Sequence, residues 1–586
     1  MSEYLIDLNN GTSHQKEQRD QKEQHKIKLT IKPQLETNYP KPLEHIELKS
    51  YQVGHVEALI SILKKYPVAC DFSALGSGKS FTSSYISLNS PFNFRHVIVI
   101  GPVSISSDWG KKRSIYGVPL HSFVSYNALR STKGKFVLSN GYLNRYDSTR
   151  EIHIKGKLMK IDVVDFECTA LYKKMVSEGL LLIIDEIQSI KNITAQFKAC
   201  QRLIHEIVST CNYIYQSPDG EPRNKSRVLL LSGTPFDKEK QIPHFFRLIG
   251  MMKHDELSQY NIQTGANTWT GFGDICRISE SIDKKTMKQI VIYPDNSVSN
   301  TKIIPMCYNL FQKVIKQVIS HSMHSVQVAF TASKANAFFS ILEDNDRQLL
   351  VEGVESLKNA VCFNNATNAI QIGGQGTLSV IQRSLMMIET AKINTFYRIG
   401  IEFLDSNPNL KLIICVNYVD TILDLVKLFE KYNPAVLQGS VTPARRAQII
   451  EQFQLHDNTH RLIIANVQVA SVGINLDDQH GSFPRVCLVS PNYSTISLAQ
   501  VSDRFRRSLT KSDSIVYFIF GKHACELKVL HALAKKSAVM KETIIDEVNI
   551  NHTVFPCDYP YMIEDSEEEL SDDIVMYMKT GIIAKK

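Results

Sequence analysis

Several absences bound this chain before any motif is read. No stretch approaches the roughly 20 consecutive apolar residues that a bilayer demands. Met1 to Asn10 has no basic segment leading into an apolar core, which predicts no secretory signal. Eleven cysteines are scattered through the sequence, Cys70, Cys168, Cys276, Cys415 and Cys557 among them, yet no two form a Cys-x-x-Cys pair. That spacing argues against a zinc ribbon and against a disulfide framework. It fits a reducing compartment, with the cytoplasm expected and the nucleus as alternative, where most thiols act as small core filler. No repeat of fixed period is visible, so a solenoid is not expected.

What is present is ordinary in bulk and uneven in detail. A length of 586 residues, 43% apolar and 22% charged, allows two or more domains, each with its own core. The net charge is +8, but the run Glu564-Asp-Ser-Glu-Glu-Glu-Leu-Ser-Asp-Asp573 holds seven carboxylates and no base. Without those seven negative charges the rest of the chain stands at +15. A basic body suits a polyanion, because neutralising phosphates releases counterions. A lysine-rich solvated surface has the same composition, so charge alone leaves the partner open.

Along the chain, residues 1–45 form a polar N-terminal arm without apolar periodicity, of the kind that lacks the apolar surface to fold alone. From 46 to 250, short β-branched runs alternate with helical stretches: Val97-Ile-Val-Ile100, Leu180-Leu-Leu-Ile-Ile184, Val228-Leu-Leu-Leu231. Continuous apolar runs of this length read as buried parallel strands. A second series occupies 396–545, with Leu412-Ile-Ile-Cys415, Leu462-Ile-Ile-Ala465, Val486-Cys-Leu-Val489 and Ile515-Val-Tyr-Phe-Ile519. Between them, 251–395 reads as an inserted or bridging segment, partly helical, with Ala332 to Leu350 as one helical stretch. The tail 546–586 carries the acidic run. In both series the polar, chemically pointed residues follow directly after the strand runs, where open parallel sheets bind ligands. The pattern predicts two similar sheets facing one ligand.

The sharpest signal is Ala74-Leu-Gly76-Ser77-Gly78-Lys79-Ser80, after the run Val68-Ala-Cys-Asp-Phe72. Gly76 and Gly78 let the backbone curl its N–H groups around a phosphate. Lys79 is placed to neutralise the β- and γ-phosphates of ATP and the Ser80 hydroxyl to ligate Mg2+. The strict phosphate-loop pattern has Gly where this chain has Ser73. Next, Ile183-Ile184-Asp185-Glu186-Ile187-Gln188 ends a strand run in two carboxylates. Asp185 suits the metal, together with Ser80, and Glu186 suits polarising the attacking water. Leu231-Ser232-Gly233-Thr234-Pro235 offers small hydroxyls that could bond those carboxylates, although the same residues make a good turn. In the second half, Gln500, Arg504 and Arg507 fall at i, i+4 and i+7, one face if the segment is helical. Such a face supplies arginine fingers to a nucleotide, or is a basic solvated surface, with Arg506 on a different side. Just upstream, Ala470-Ser-Val-Gly473-Ile-Asn475-Leu476 supplies a glycine turn able to approach a ligand or backbone closely.

In order and spacing these segments resemble the motifs of superfamily 2 helicases, and most closely the Swi/Snf-like branch. Tyr51-Gln52 resembles that branch's adenine-reading glutamine region, Pro102 through Trp109 its motif Ia, and Ser125-Tyr126 its motif Ib. Asp185-Glu-Ile-Gln-Ser-Ile-Lys191-Asn192 is similar to its extended motif II, with Gln188 where the family pattern has His. Leu437-Gln-Gly439-Ser440, Arg445 and Phe453 resemble the elements before motif V, and Asp503 stands where motif VI has Gly. The resemblance covers residues 46 to 540, and the short chain also looks like the transcription-linked nucleoside triphosphatases of poxviruses and of yeast cytoplasmic linear plasmids.

The resemblance implies an α/β protein of two tandem RecA-like parallel-sheet domains with an inserted, largely helical segment and flexible termini. It implies an ATP- and Mg2+-dependent motor on nucleic acid, DNA or RNA, serving transcription or replication machinery and using no membrane. Lys79, Asp185, Glu186, Gln188, Arg504 and Arg507 would be catalytic. Gln52, Gly76, Ser77, Gly78, Lys79, Ser80, Gly473 and Gln500 would hold the nucleotide. The opposing reading is a transcription factor that keeps the fold and has lost turnover.

Overall fold

The computed structural model describes residues 41–543 apart from 132–137, 140, 155–156, 211–224, 252–258, 262–265, 269–306, 313–315, 324–332, 365–368, 373–376, 472 and 508. The polar arm up to residue 40, the acidic run 564–573, Cys276 and Cys557 lie outside the described residues. Among the described residues no helix is long and apolar enough to cross a membrane.

Two six-stranded sheets organise the chain. The first is built from β1 (Val68–Asp71), β2 (His96–Gly101), β3 (Leu120–Ser125), β4 (Leu180–Asp185), β5 (Arg227–Leu231) and β6 (Ser320–His321), in spatial order β6-β1-β5-β4-β2-β3. The second uses β7 (Ser333–Ser340), β8 (Lys411–Val416), β9 (Ala435–Leu437), β10 (Leu462–Asn466), β11 (Arg485–Val489) and β12 (Ser514–Gly521), in order β7-β12-β11-β8-β10-β9. Every pairing within both sheets is parallel.

Successive side chains in a strand point to opposite faces, and here both faces are covered. Ile98, Ile100, Leu182 and Ile184 enter one core of the first sheet, while Val97, Val99, Leu181 and Ile183 enter the other. The second sheet divides in the same way, with Ile413 and Ile463 on one side and Leu412 and Leu462 on the other. Burial on two faces is why these strands read as unbroken apolar runs. Cys70, Cys168 and Cys415 are buried free thiols within these cores.

The bridging stretch is shorter than its composition predicts. Within 332–350, read as helical, the described residues instead open with β7, which pairs with β12 from Ser333 opposite Ser514 to Ser340 opposite Gly521; a helix follows only at Asp344–Ala360. Ala335, Ala337 and Phe339 face one core and Phe338 the other, so an alanine-rich sequence becomes a strand because it completes a sheet edge. Tertiary pairing overrides local propensity here. The second sheet therefore starts at 333 and not near 396. β6 likewise belongs to the first sheet, pairing Cys70 with Ser320 and Asp71 with His321. The antiparallel hairpin Leu143–Ile154 and Lys157–Cys168 was not legible as such in the sequence.

Candidate active site

The phosphate loop leaves β1 and enters helix α2 (Lys79–Asn89), preceded in the chain by helix α1 (Ser50–Lys65). Gly76 and Gly78 have φ of 81° and 96°, the left-handed region that glycine enters freely. Gly78 is also hemmed in: a Cβ there would lie 2.5 Å from Gln52 Nε2. Gly78 caps α2 with no side-chain acceptor, so the helix presents its first N–H groups and positive dipole end outward, the arrangement that receives an anion. Lys79 Nζ donates to the carbonyls of Ser73 at 2.9 Å and Ala74 at 3.0 Å. Burial lowers the Lys79 pKa, and Asp71, Glu186 and Asp185 oppose that shift.

Gln52 sits on α1 and is spent on the backbone. Its Oε1 accepts from Lys49 N at 3.0 Å, and its Nε2 donates to Ser77 O at 3.1 Å. The predicted adenine-reading residue thus braces the loop from behind. Beneath the loop, Asp71 Oδ2 lies 3.0 Å from His55 Nε2, and His55 Nδ1 lies 2.7 Å from His321 Nδ1. Burial works to raise the Asp71 pKa, but His55 and Lys79 outweigh it and hold the carboxyl at about 2.

The paired carboxylates leave the end of β4. Asp185 is raised to about 7, first by burial and then by Glu186, while the Trp109 hydrogen bond and Lys79 pull it down. Trp109 is fully buried on helix α3 (Ser106–Tyr116) and donates from Nε1 to Asp185 Oδ2 at 3.2 Å. Tyr126 OH donates to the Asp185 carbonyl at 2.7 Å and the Glu186 carbonyl at 3.2 Å. These two bonds help hold Glu186 in the left-handed region at φ 62°, an uncommon position for a non-glycine residue. Gln188 Nε2 donates to Glu186 Oε2, and Ser232 Oγ donates to Gln188 Oε1 at 2.7 Å. The Ser-Gly-Thr turn therefore reaches Glu186 through Gln188 and not by a direct bond to either carboxylate. Gly233 packs on the phosphate loop, since a Cβ there would lie 2.7 Å from Leu75 Cγ.

The second lobe closes on this group. Gln500 Nε2, on helix α4 (Thr495–Ser502), donates to Glu186 Oε2 at 3.1 Å. A Cβ on Gly76 would lie 2.9 Å from Arg507 Cδ, so Arg507 rests on the phosphate loop. The continuous helix expected over 500–507 is absent. α4 stops at Ser502, a 3₁₀ turn covers Asp503–Phe505, and Arg506 is extended. The break turns the arginines apart. Arg504 points into its own lobe, donating to Ser471 O and, at 3.4 Å, to Ile474 O. Burial, then Arg507, disfavours its charge, against Glu186 and Asp503. Arg506 is buried and lies 3.6 Å from Asp503, so it is no exposed bystander. Gly473, with φ 69°, approaches Ser104, whose Cβ and Oγ would both lie 2.6 Å from an added Cβ. It joins the lobes at the segment following β2, where it packs on the Ser104 side chain.

Residues 391–508 match the helicase conserved C-terminal domain family. The match covers Gly473, Gln500, Arg504 and Arg507, the residues that second-lobe geometry had already singled out. This supports a protein of helicase type. Among its relatives is a protein of Acanthamoeba polyphaga mimivirus, named provisionally as an ATP-dependent RNA helicase, 23% identical over 84% of this chain and 82% of its own length. Another is an uncharacterized ATP-dependent helicase of Mycoplasma pneumoniae, 23% identical over 40% of this chain and 22% of its own length. These relatives imply ATP use. Sequence reasoning named Trp109 only as the end of the segment resembling motif Ia, and did not single out His55, Asp71, His321 or Ser104 for the site. The signal for Trp109 lay in its indole N–H, since a buried donor needs an acceptor.

Proposed function

We propose that this protein is a superfamily 2 ATPase of the Swi/Snf-like branch that moves on nucleic acid by opening and closing two RecA-like lobes around ATP. The observation that carries the reading is Glu186, whose carboxylate is bonded by Gln188 from its own lobe and by Gln500 from the other. A group placed to polarise water is thereby sensitive to lobe closure.

The residues fit Mg2+-ATP. The curled glycine loop and uncapped α2 form an anion cradle, and Ser80 with Asp185 supplies two oxygen donors, a number that suits Mg2+, which retains water and phosphate oxygens for its other positions. Bound there, the cation would neutralise phosphate charge. Lys79, now on the Ser73 and Ala74 carbonyls, is the charge that turns to the transferring phosphate. Arg507 adds the second-lobe charge beside Gly76. Arg504 has a different task in this arrangement: it binds the carbonyls of Ser471 and Ile474, which flank the approach of Gly473 to Ser104. Trp109 orients Asp185, and the Ser232–Gln188 pair orients Glu186.

The narrower likeness to transcription-linked nucleoside triphosphatases of poxviruses and yeast linear plasmids favours a role in transcription or replication of a cytoplasmic genetic element. The mimivirus relative's name favours RNA as one track to test. Turnover measured with single- and double-stranded DNA and RNA in turn is expected to rise with at least one of them. Glu186→Gln should keep nucleotide binding and lose hydrolysis, because it retains shape and removes the base. Loss of binding together with turnover would show that Glu186 has another role.

A further inference from the structure

Asp503 stands where motif VI of the resembled family has glycine, yet the backbone there needs none. Its φ of −81° and ψ of 0° are a turn conformation that residues with side chains enter. Its N–H donates to the Ala499 carbonyl at the end of α4, and its carboxylate is turned to the arginines. Arg506 Nη2 lies 3.6 Å from Asp503 Oδ1, with both side chains mostly buried. Arg506 itself is extended, at φ −132° and ψ 109°, and successive side chains of extended backbone point to opposite sides. An Arg506 drawn to Asp503 on its own lobe therefore turns Arg507 the other way. That is where Arg507 lies: a Cβ on Gly76 would stand 2.9 Å from Arg507 Cδ and 3.1 Å from the Arg506 carbonyl oxygen. The backbone of Arg507 is fixed from its far side as well. Its N–H donates to Thr510 Oγ1 at 2.7 Å, and that hydroxyl donates to Asp477 Oδ2 at 3.0 Å. Charge points the same way. Burial disfavours the Arg507 guanidinium, and Asp503 is the first charge to favour it, ahead of Asp477 and Glu186. Burial raises the Asp503 pKa in turn, and Arg506, Arg507, Arg504 and, from the other lobe, Lys79 oppose that shift. Arg507 Nε is buried with no hydrogen-bond partner among the described residues, so the aimed side chain keeps a donor uncommitted.

We infer that Asp503 is a positioning residue for Arg507: by holding Arg506 against the second lobe it turns Arg507 onto the phosphate loop, toward the transferring phosphate. The inference rests on the nucleotide site read above and adds to it how this chain aims its second-lobe cation. Asp503 needs no contact with the nucleotide for this. A glycine in its place has no carboxylate to hold Arg506 and none to offset the buried charge of Arg507. The effect falls on rate because a charge that stabilises the transferring phosphate works only when it is already in place. A displacement of about 1 Å in such a group can cost about 10²-fold.

The test is a double-mutant cycle on steady-state ATPase at saturating nucleic acid: Asp503→Asn, Arg507→Ala and the two together in the full chain, each with thermal melting. Asp503→Asn keeps the size of the side chain and removes its charge. Its kcat is expected to fall about tenfold while KM for ATP stays within about twofold of the wild type, the split of a contribution made in the transition state. Asp503→Glu, which keeps the carboxylate on a longer stem, should recover part of the loss. In the Arg507→Ala background Asp503→Asn should cost no more than about twofold, because a residue acting through Arg507 has nothing left to aim. Equal losses of kcat in both backgrounds would show that Asp503 supports the fold alone and would overturn the inference. Wild-type kcat in a folded Asp503→Asn would overturn it too. If Asp503→Asn does not fold, Asp503→Glu carries the cycle, with its smaller loss expected only where Arg507 is present. Wild-type turnover of Arg507→Ala by itself would instead remove the reading of the nucleotide site on which the inference stands.

Discussion

At Lys79 burial and charge pull in opposite directions. Desolvation disfavours the ammonium, and three carboxylates around it oppose that effect. Replacing it with alanine removes a charge matched to the transferring phosphate and leaves the carbonyls of Ser73 and Ala74 free to find water. ATPase turnover of Lys79→Ala is expected to fall by about 10²-fold or more, with a thermal midpoint near that of the parent; wild-type turnover would refute the loop assignment. Asp185 makes a prediction about pH. Its carboxyl, raised to about 7 from an ordinary 3.8, must be ionised to hold a cation. Activity should therefore decline as pH falls through that range. The sign for folding is the reverse: a raised pKa favours the protonated folded form, so Asp185's contribution to stability is full below its ordinary pKa and shrinks as pH rises through about 7. Trp109 Nε1 donates to the charged form, so Trp109→Phe should move the acid limb of the turnover profile to higher pH and weaken Mg2+-ATP binding. An unmoved limb would leave Trp109 a packing residue only.

Among elements, strands were the most legible part of the sequence, and the reason is physical. Strands buried on two faces have nowhere to place a polar residue, so β2, β4, β5, β8, β10, β11 and β12 appear as apolar runs within a residue or two of their ends. β7 escaped because alanine and phenylalanine in 333–340 suit a helix as well, and only its pairing with β12 decides. The phosphate loop and paired carboxylates were legible because their chemistry demands particular residues at particular spacing. The Gln-Arg-Arg face was legible in composition and wrong in geometry. Asp503 stands at the break, where α4 gives way to a 3₁₀ turn and the arginines part. Gly473→Ala follows from what replaces that helix. It puts a methyl group 2.6 Å from Ser104 at a φ of 69°, so the lobes cannot meet there unshifted. Turnover is expected to drop about tenfold or more with nucleotide binding to the first lobe retained; normal turnover would mean that this contact is dispensable for closure. The same break changes what Arg506 can report. Buried beside Asp503, it should cost stability when truncated, by about 1–3 kcal/mol for an unpaired buried partner, readable as a lowered thermal midpoint. It is therefore a poor bland control for Arg507.

For the whole molecule the central claim is that one catalytic site is assembled from residues more than 300 positions apart, Lys79 and Glu186 on the first lobe and Gln500 and Arg507 on the second. Neither lobe holds the full set, so hydrolysis becomes a report on closure, and whatever favours closure favours turnover. The most direct measurement is steady-state ATPase of Arg507→Ala against the wild type at saturating nucleic acid, with nucleic-acid affinity and thermal melting measured on the same preparations. The account predicts that stimulated turnover falls by about 10³-fold, the scale of a lost arginine finger, while affinity and midpoint stay close to those of the wild type. Stimulated turnover at the wild-type level, in a folded variant that still binds nucleic acid, would contradict it.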